Sequence, residues 1–225
     1  MDVFPLSPSR YRAKLRRELL RLDVVASTTP ELLARAAMDR GAAQRGSELA
    51  QLLRLLRRTP LRVVVEIGSA AGGTMYAWCR ASSRAALIVS IDLPGGEFGG
   101  GYGEEGMAAM RGYARSHQQV RFLREDSHAP ETLEQLRTLL GGREVDFLMI
   151  DGDHTYAGVR SDFESFVPLV RPGGLVALHD IVPGPQANVG GVPEFWREIR
   201  DGFEHRELVE SWEQGGYGIG VIRLP

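Results

Sequence analysis

Asp151, Asp153 and His154 fall within four residues of one another, directly after the apolar run Phe147-Leu-Met-Ile150. Such a run suits a strand buried on both faces of a parallel sheet. Gly152 and the polar residues that follow end it. In open α/β sheets, ligands bind beyond the carboxyl ends of the strands. Three ionisable side chains therefore stand where a substrate or a metal would sit. A solvated turn with an Asp N-cap would use the same residues without chemistry, but two further strands end in the same way.

The second of these ends at Asp92, where an acid can take both hydroxyls of a ribose. Another ends near Glu125-Asp126-Ser127, positioned for an adenine edge. The first strand of the series runs into Glu66-Ile-Gly68-Ser69-Ala-Ala-Gly72-Gly73-Thr74. Glycines there let the backbone approach a ligand at the start of a helix. A dinucleotide fingerprint would read G-x-G-x-x-G, whereas this chain has E-x-G-x-x-x-G. The acid before the loop would repel a pyrophosphate and attract a cationic amine, so a nicotinamide oxidoreductase is disfavoured. A tight strand-to-helix turn also needs glycine, with no ligand at all.

These residues must be positioned by alternating strands and helices. The pattern predicts strands over 62–67, 86–91, 120–123, 145–150 and 175–178. Helices are expected over 73–84, 104–116, 130–140, 159–170 and 193–200. Two further strands are expected near 207–211 and 219–222. Strict alternation implies parallel strands with right-handed crossovers. The glycine-rich stretch 94–106 is long for a connection and reads as a mobile or functional loop; the expected substrate wall includes 94–107 and 184–192. Before residue 61 the reading is different: a loose arm over 1–10, a short basic helix over 11–22, and two better-marked helices. One has Thr29 as N-cap, Pro30 at its first position, Leu32, Leu33, Ala36 and Ala37 on one face, and Gly41 at its end. The other runs from Ser47, with Leu49, Leu52, Leu53 and Leu56 at helical spacing. Covering the sheet, lining a pocket and forming a subunit interface are all open to them. The expected division is a helical N-terminal extension over 1–60 and a catalytic domain over 61–225.

Composition narrows the classes. A net charge of −2 gives no electrostatic case for nucleic acid. Cys79 is the single cysteine, so an internal disulfide and a Cys-rich zinc site are both excluded. No signal peptide and no run of about eighteen apolar residues is present. The expectation is a cytoplasmic protein with no membrane partner.

With these motifs in order (VVVEIGSAAGG, IDLPGG, LREDS, DFLMIDGDHTYAGVRSDFE and RPGGLVALHDIV), the chain resembles a class I S-adenosylmethionine-dependent methyltransferase over roughly residues 44–200. The I-D-G-D-H-x-Y run, the H-D-I after the fifth strand and G-V-P-E-F-W at 191–196 are more specific. They are similar to the cephalosporin-hydroxylase-like and rhamnosyl O-methyltransferase group. The resemblance implies an α/β, Rossmann-like fold with a seven-stranded, mostly parallel sheet of order 3-2-1-4-5-7-6, helices on both faces and an antiparallel last strand. It implies S-adenosylmethionine as cofactor, bound by Glu66, Gly68, Ser69, Gly72, Thr74, Asp92, Asp126, Ser127 and Asp151.

Relatives of that group methylate sugar hydroxyls and hold a divalent metal. Asp151 and Asp180 match two of their acidic ligands, and His179 stands where the third would be an acid. His179 can ligate the metal, orient Asp180 or point into the sheet. Adjacent strand residues face opposite ways, so both reach one metal only if the chain turns there. Oxygen ligands suit Mg²⁺, and a histidine ligand shifts preference towards Mn²⁺. Of the two candidate bases, Asp153 and His154, the imidazole is the better at neutral pH. The expected reaction is metal-assisted methylation of a hydroxyl on a sugar or glycosylated natural product, by a protein open to homo-oligomerisation. Catechol methylation, the methoxylation chemistry of the cephalosporin relatives and a non-catalytic donor-binding role are the alternatives.

Overall fold

The structure, a computed structural model, describes residues 29–95 and 101–225. The arm expected over 1–10 and the basic helix over 11–22 lie outside the described residues, as does part of the glycine-rich stretch.

The described chain opens with helices α1 (Pro30–Met38) and α2 (Gly46–Leu56). Strands and helices then alternate. They are β1 (Val63–Ile67), α3 (Gly73–Ala81), β2 (Leu87–Ile91), α4 (Glu104–Arg111), β3 (Gln119–Leu123), α5 (Pro130–Leu140), β4 (Val145–Ile150), α6 (Tyr156–Phe166) and β5 (Val170–His179). A four-residue helix α7 (Gln186–Val189), helix α8 (Val192–Ile199), β6 (Glu204–Leu208) and β7 (Ile219–Arg223) complete it. The seven strands form one sheet of order β3-β2-β1-β4-β5-β7-β6. All pairings are parallel except those of β7, which runs antiparallel to β5 and β6. The expected order and the reversed last strand are both observed.

The apolar runs read as fully buried strands because both faces of the sheet are covered. Val64, Phe147 and Met149 point into one core layer with the leucines of α2 and with Met75, Trp78 and Met110. Val63, Val65, Ile67, Leu148 and Ile150 point into the other, against Leu136, Val159, Phe166 and Trp196. Period-two alternation thus sends successive residues of one strand into two different cores. The described N-terminal helices belong to the first layer. On α1 the buried residues are Leu33, Ala34, Ala36 and Ala37, whereas Leu32, expected on the buried face, is exposed.

Local chemistry explains where elements begin and end. Thr29 caps α1 by accepting from the Leu32 amide at 3.3 Å. The helix over 156–166 starts earlier than expected because Thr155 accepts the Gly158 amide at 3.0 Å. Helix α4 stops at Arg111, short of the expected 116. The chain beyond it is held instead by Gln118, whose side-chain amide donates to the Cys79 and Ser83 carbonyls at 2.8 and 2.9 Å. The turn expected at 172–174 is an irregularity inside a longer strand, between the Val145 and Phe147 pairings. No helix among the described residues is long and apolar enough to cross a membrane.

Candidate active site

The reversal of strand order between β1 and β4 opens a crevice at the carboxyl ends of the strands, as expected for a doubly wound sheet. A cavity of about 860 Å³ occupies it. At one end it meets Asp92, beyond β2, and Asp126 and Ser127, beyond β3. At the other it meets Asp151, Asp153 and His154 beyond β4, and His179 and Asp180 at the end of β5. Gly68 lines the middle. Its φ is +81°, and a Cβ would lie 1.9 Å from the Asp151 carbonyl oxygen. Glycine is therefore required here by the close approach of two backbone segments as well as by any ligand.

Other residues of the expected donor site lie outside the cavity lining. Glu66 precedes Ile67, which does line it, so alternation turns Glu66 the other way. It is buried, and its Oε1 accepts from Trp78 Nε1 at 2.8 Å. Burial pushes its carboxyl up to about 7, against the lowering effect of Thr74, Trp78 and Ser69. Ser69 and Thr74 are buried as well, and the Ser69 hydroxyl accepts from Ser90 at 2.7 Å. Gly72, with φ +80°, immediately precedes α3 and faces the Met110 side chain. The loop holds Asp92 by its backbone: the Ser69 and Ala70 amides donate to Asp92 Oδ2 at 2.9 and 2.7 Å.

At the other end, side chains from three segments converge. The chain does turn at the end of β5. Asp180 has φ +60°, in the left-handed region that non-glycine residues rarely occupy. This lets His179 and Asp180 face one site. His179 Nδ1 lies 3.0 Å from Asp151 Oδ1 and 3.4 Å from Asp180 Oδ2. Its Nε2 is buried without a hydrogen-bond partner. Asp180 Oδ1 accepts the Tyr217 amide at 2.8 Å. His154 stands over the same carboxylates, with Nε2 3.4 Å from Asp151 Oδ1 and Nδ1 3.6 Å from Asp180 Oδ2. Its Nδ1 also meets the Asn188 carbonyl of α7. Asp153 Oδ1 accepts the Thr155 amide at 2.7 Å.

The electrostatics follow from this crowding. Burial alone would raise the Asp151 carboxyl, but His179 and His154 beside it outweigh that and hold it down to about 2. Burial opposes the charge on His179, yet Asp151 and Asp180 raise it well above its ordinary value. His154 is raised for the same reason. The two carboxylates and the two imidazoles thus each favour the charged form of the other. One ligand atom each from Asp151, His154 and Asp180 lie within 4.8 Å of one another, a donor set fit for a divalent cation. His179 is outside that set and contacts both carboxylates through Nδ1.

Two lining segments were not given a role by the sequence. His128 follows Ser127 in the β3–α5 connection, with Nε2 3.4 Å from the fully buried Asp162 of α6. The loop between β6 and β7 brings Gly215, Gly216 and Tyr217 to the cavity. It is tied down by Glu48 of α2, which accepts from Gln214 Nε2 at 2.7 Å and from the Gly218 amide at 2.9 Å. A lone His and a helical Glu carry no local signal of this; both contacts span tertiary distance.

Comparison with known proteins accords with this geometry. A family described as a methyltransferase domain matches residues 65–181. An uncharacterised protein of Sinorhizobium fredii, y4gI, is 31% identical over 142 residues, covering 61% of this chain and 15% of that protein. The mycinamicin VI 2''-O-methyltransferase of Micromonospora griseorubida is 30% identical over 99 residues, covering 40% of this chain and 24% of the enzyme. The chain therefore spans well under a third of either relative. Among solved structures, an O-methyltransferase from Bacillus cereus in complex with S-adenosylhomocysteine has the same fold. Its TM-score is 0.59 at 17% identity, over 99% of this chain and 93% of that one.

Proposed function

The chain belongs to the methyltransferase-domain family, and on that premise we propose that it transfers the methyl group of S-adenosylmethionine to a hydroxyl of a sugar or glycosylated natural product. The observation that carries this reading is the continuity of the cavity. One space joins the Asp92 and Asp126 end to the Asp151, His154 and Asp180 end. Its volume of about 860 Å³ is at the upper end of small-molecule sites, enough for a nucleoside donor with an acceptor beside it. The mycinamicin relative supports oxygen as the methylated atom and a natural-product acceptor.

In this reading Asp92, fixed by the Ser69 and Ala70 amides, takes the ribose hydroxyls, and Asp126 and Ser127 face the adenine. Glu66, Ser69, Gly72 and Thr74 shape the turn from behind. The acceptor hydroxyl oxygen attacks the methyl carbon in line with sulfur. The carbon–sulfur bond breaks, its electron pair stays on sulfur, and the neutral thioether S-adenosylhomocysteine leaves. The hydroxyl proton passes to His154 Nε2, which faces the cluster and would be unprotonated once a bound cation offsets the charge of Asp151 and Asp180, with the ring proton on Nδ1 against the Asn188 carbonyl. Asp151 and Asp180, completed by an imidazole, would hold a divalent cation, with Mg²⁺ preferred and Mn²⁺ the alternative. Such a cation lowers the pKa of an acceptor hydroxyl and orients it.

The test is transfer of labelled methyl from S-adenosylmethionine to a panel of free and glycosidic hydroxyls, beside catechols. Calorimetry with S-adenosylhomocysteine and with NAD accompanies it. Asp92→Ala should lose charge-assisted hydrogen bonds and with them roughly 10–100-fold in S-adenosylhomocysteine affinity. Unchanged affinity in a folded variant removes Asp92 from the donor site, and binding of NAD alone removes the reading altogether.

A further inference from the structure

Gln44 lies in the turn between α1 and α2, far in sequence from every residue given a chemical task above. Its side chain is buried, and its Nε2 donates to Asp151 Oδ2 at 2.7 Å. Carboxylate oxygens accept, so the donor end of the amide faces Asp151, which fixes the orientation of the carboxamide. The other end, Oε1, is buried with no hydrogen-bond partner. An unpaired buried acceptor is destabilising. For packing alone, an apolar side chain of the same shape would serve at least as well. What the amide gains is made on Asp151.

That carboxylate is held from both sides. Oδ1 lies against His179 Nδ1 and His154 Nε2, while Oδ2 belongs to Gln44. Rotation of the Asp151 carboxylate would break one of these contacts. The turn that carries Gln44 has little freedom to move away. It is pressed on the start of α3, where a Cβ on Gly73 would lie 2.1 Å from the Ala42 nitrogen and 2.5 Å from the Ala37 oxygen. Its neighbour Ala43 lines the cavity.

We propose that Gln44 is a positioning residue for the reaction, which acts through Asp151 by fixing which carboxylate oxygen is presented to a divalent cation. The inference rests on the methyl-transfer reading and on Asp151 as a ligand. Partners of metal ligands typically govern affinity by 10–100-fold.

The test uses the full chain with Gln44→Met, which keeps the shape and removes the donor, and Gln44→His, which restores an N–H at similar reach. Each protein is titrated calorimetrically with S-adenosylhomocysteine, then with Mn²⁺ in its presence, and its melting temperature is recorded. The expected result is equal S-adenosylhomocysteine affinity in all three, a loss of Mn²⁺ affinity on the order of tenfold or more in Gln44→Met, and recovery of most of it in Gln44→His. Wild-type Mn²⁺ affinity in Gln44→Met overturns the inference. So does a wild type that binds S-adenosylhomocysteine but no Mn²⁺. If neither variant folds, the bond serves stability and the inference also falls. A wild type that binds no S-adenosylhomocysteine instead sinks the donor reading, and does so in the first titration, before Gln44 is involved.

Discussion

Asp146 and Asp151 are the same residue type at opposite ends of one strand, and their surroundings give them different work. Asp146 accepts the Arg62 and Val63 amides at 2.7 and 2.9 Å and the Arg171 guanidinium at 2.6 Å, which joins the starts of β1 and β5 to β4. Asp151 is surrounded by imidazoles and a carboxamide at the cavity. The division between Asp153 and His154 is decided at this scale too. His154→Ala should lower turnover by roughly 10²–10⁴-fold and leave Mn²⁺ affinity near normal if the imidazole only takes the proton. Lost Mn²⁺ affinity would make it a ligand, and a more severe defect in Asp153→Asn would move the base to Asp153. His128 offers a pH signature. Asp162 beside it, with help from Asp126 and against the effect of burial, pushes its pKa up to about 9. The unfolded value is about 6.5. A raised folded pKa stabilises fully below the unfolded value and is lost as pH rises through the folded one. The melting-temperature advantage of wild type over His128→Asn should therefore be largest near pH 6 and shrink as pH approaches and passes 9. An advantage that stays constant with pH would discard the ion pair.

Helix α2 works at a distance through one side chain. Glu48 is fully buried and accepts from the Glu210 amide at 3.2 Å as well as from Gln214 and Gly218. The loop it holds is the one whose Tyr217 amide reaches Asp180. Glu48→Ala leaves the buried Gly218 amide without its acceptor and removes one partner each from the Gln214 and Glu210 donors, at a cost on the order of 1–3 kcal/mol. The expected result is a lower melting temperature and new proteolytic cleavage within 209–218, while S-adenosylhomocysteine affinity stays close to wild type. Equal protease resistance would show that the loop is held by other contacts, such as the Arg45–Glu210 pair at 2.9 Å.

For the whole molecule, the division of the cavity into an end on β2 and β3, proposed above for the methyl donor, and a charged end on β4 and β5 makes a separable prediction. Exhaustive chelation should abolish methyl transfer and spare S-adenosylhomocysteine binding; full turnover in chelated, metal-free protein would refute the cation. The layering behind that division was legible in the sequence. Apolar runs of strand length alternating with helical repeats dictate a parallel sheet covered on both faces, and acids directly after such runs must emerge at one edge of it. Asp92, Asp126 and Asp151 could be placed in that way because each is local to its own strand end. Glu66 could not, since one residue of alternation turns it from the cavity into the core beside Trp78. Nor could Gln44, Glu48 or His128, whose partners Asp151, Gly218 and Asp162 lie far along the chain. Which residues end the strands is readable locally along the chain, because periodicity and turn residues act over a few neighbours. Which side chains share a carboxylate is not, because that depends on how α1, α2 and the β6–β7 loop pack across the sheet edge.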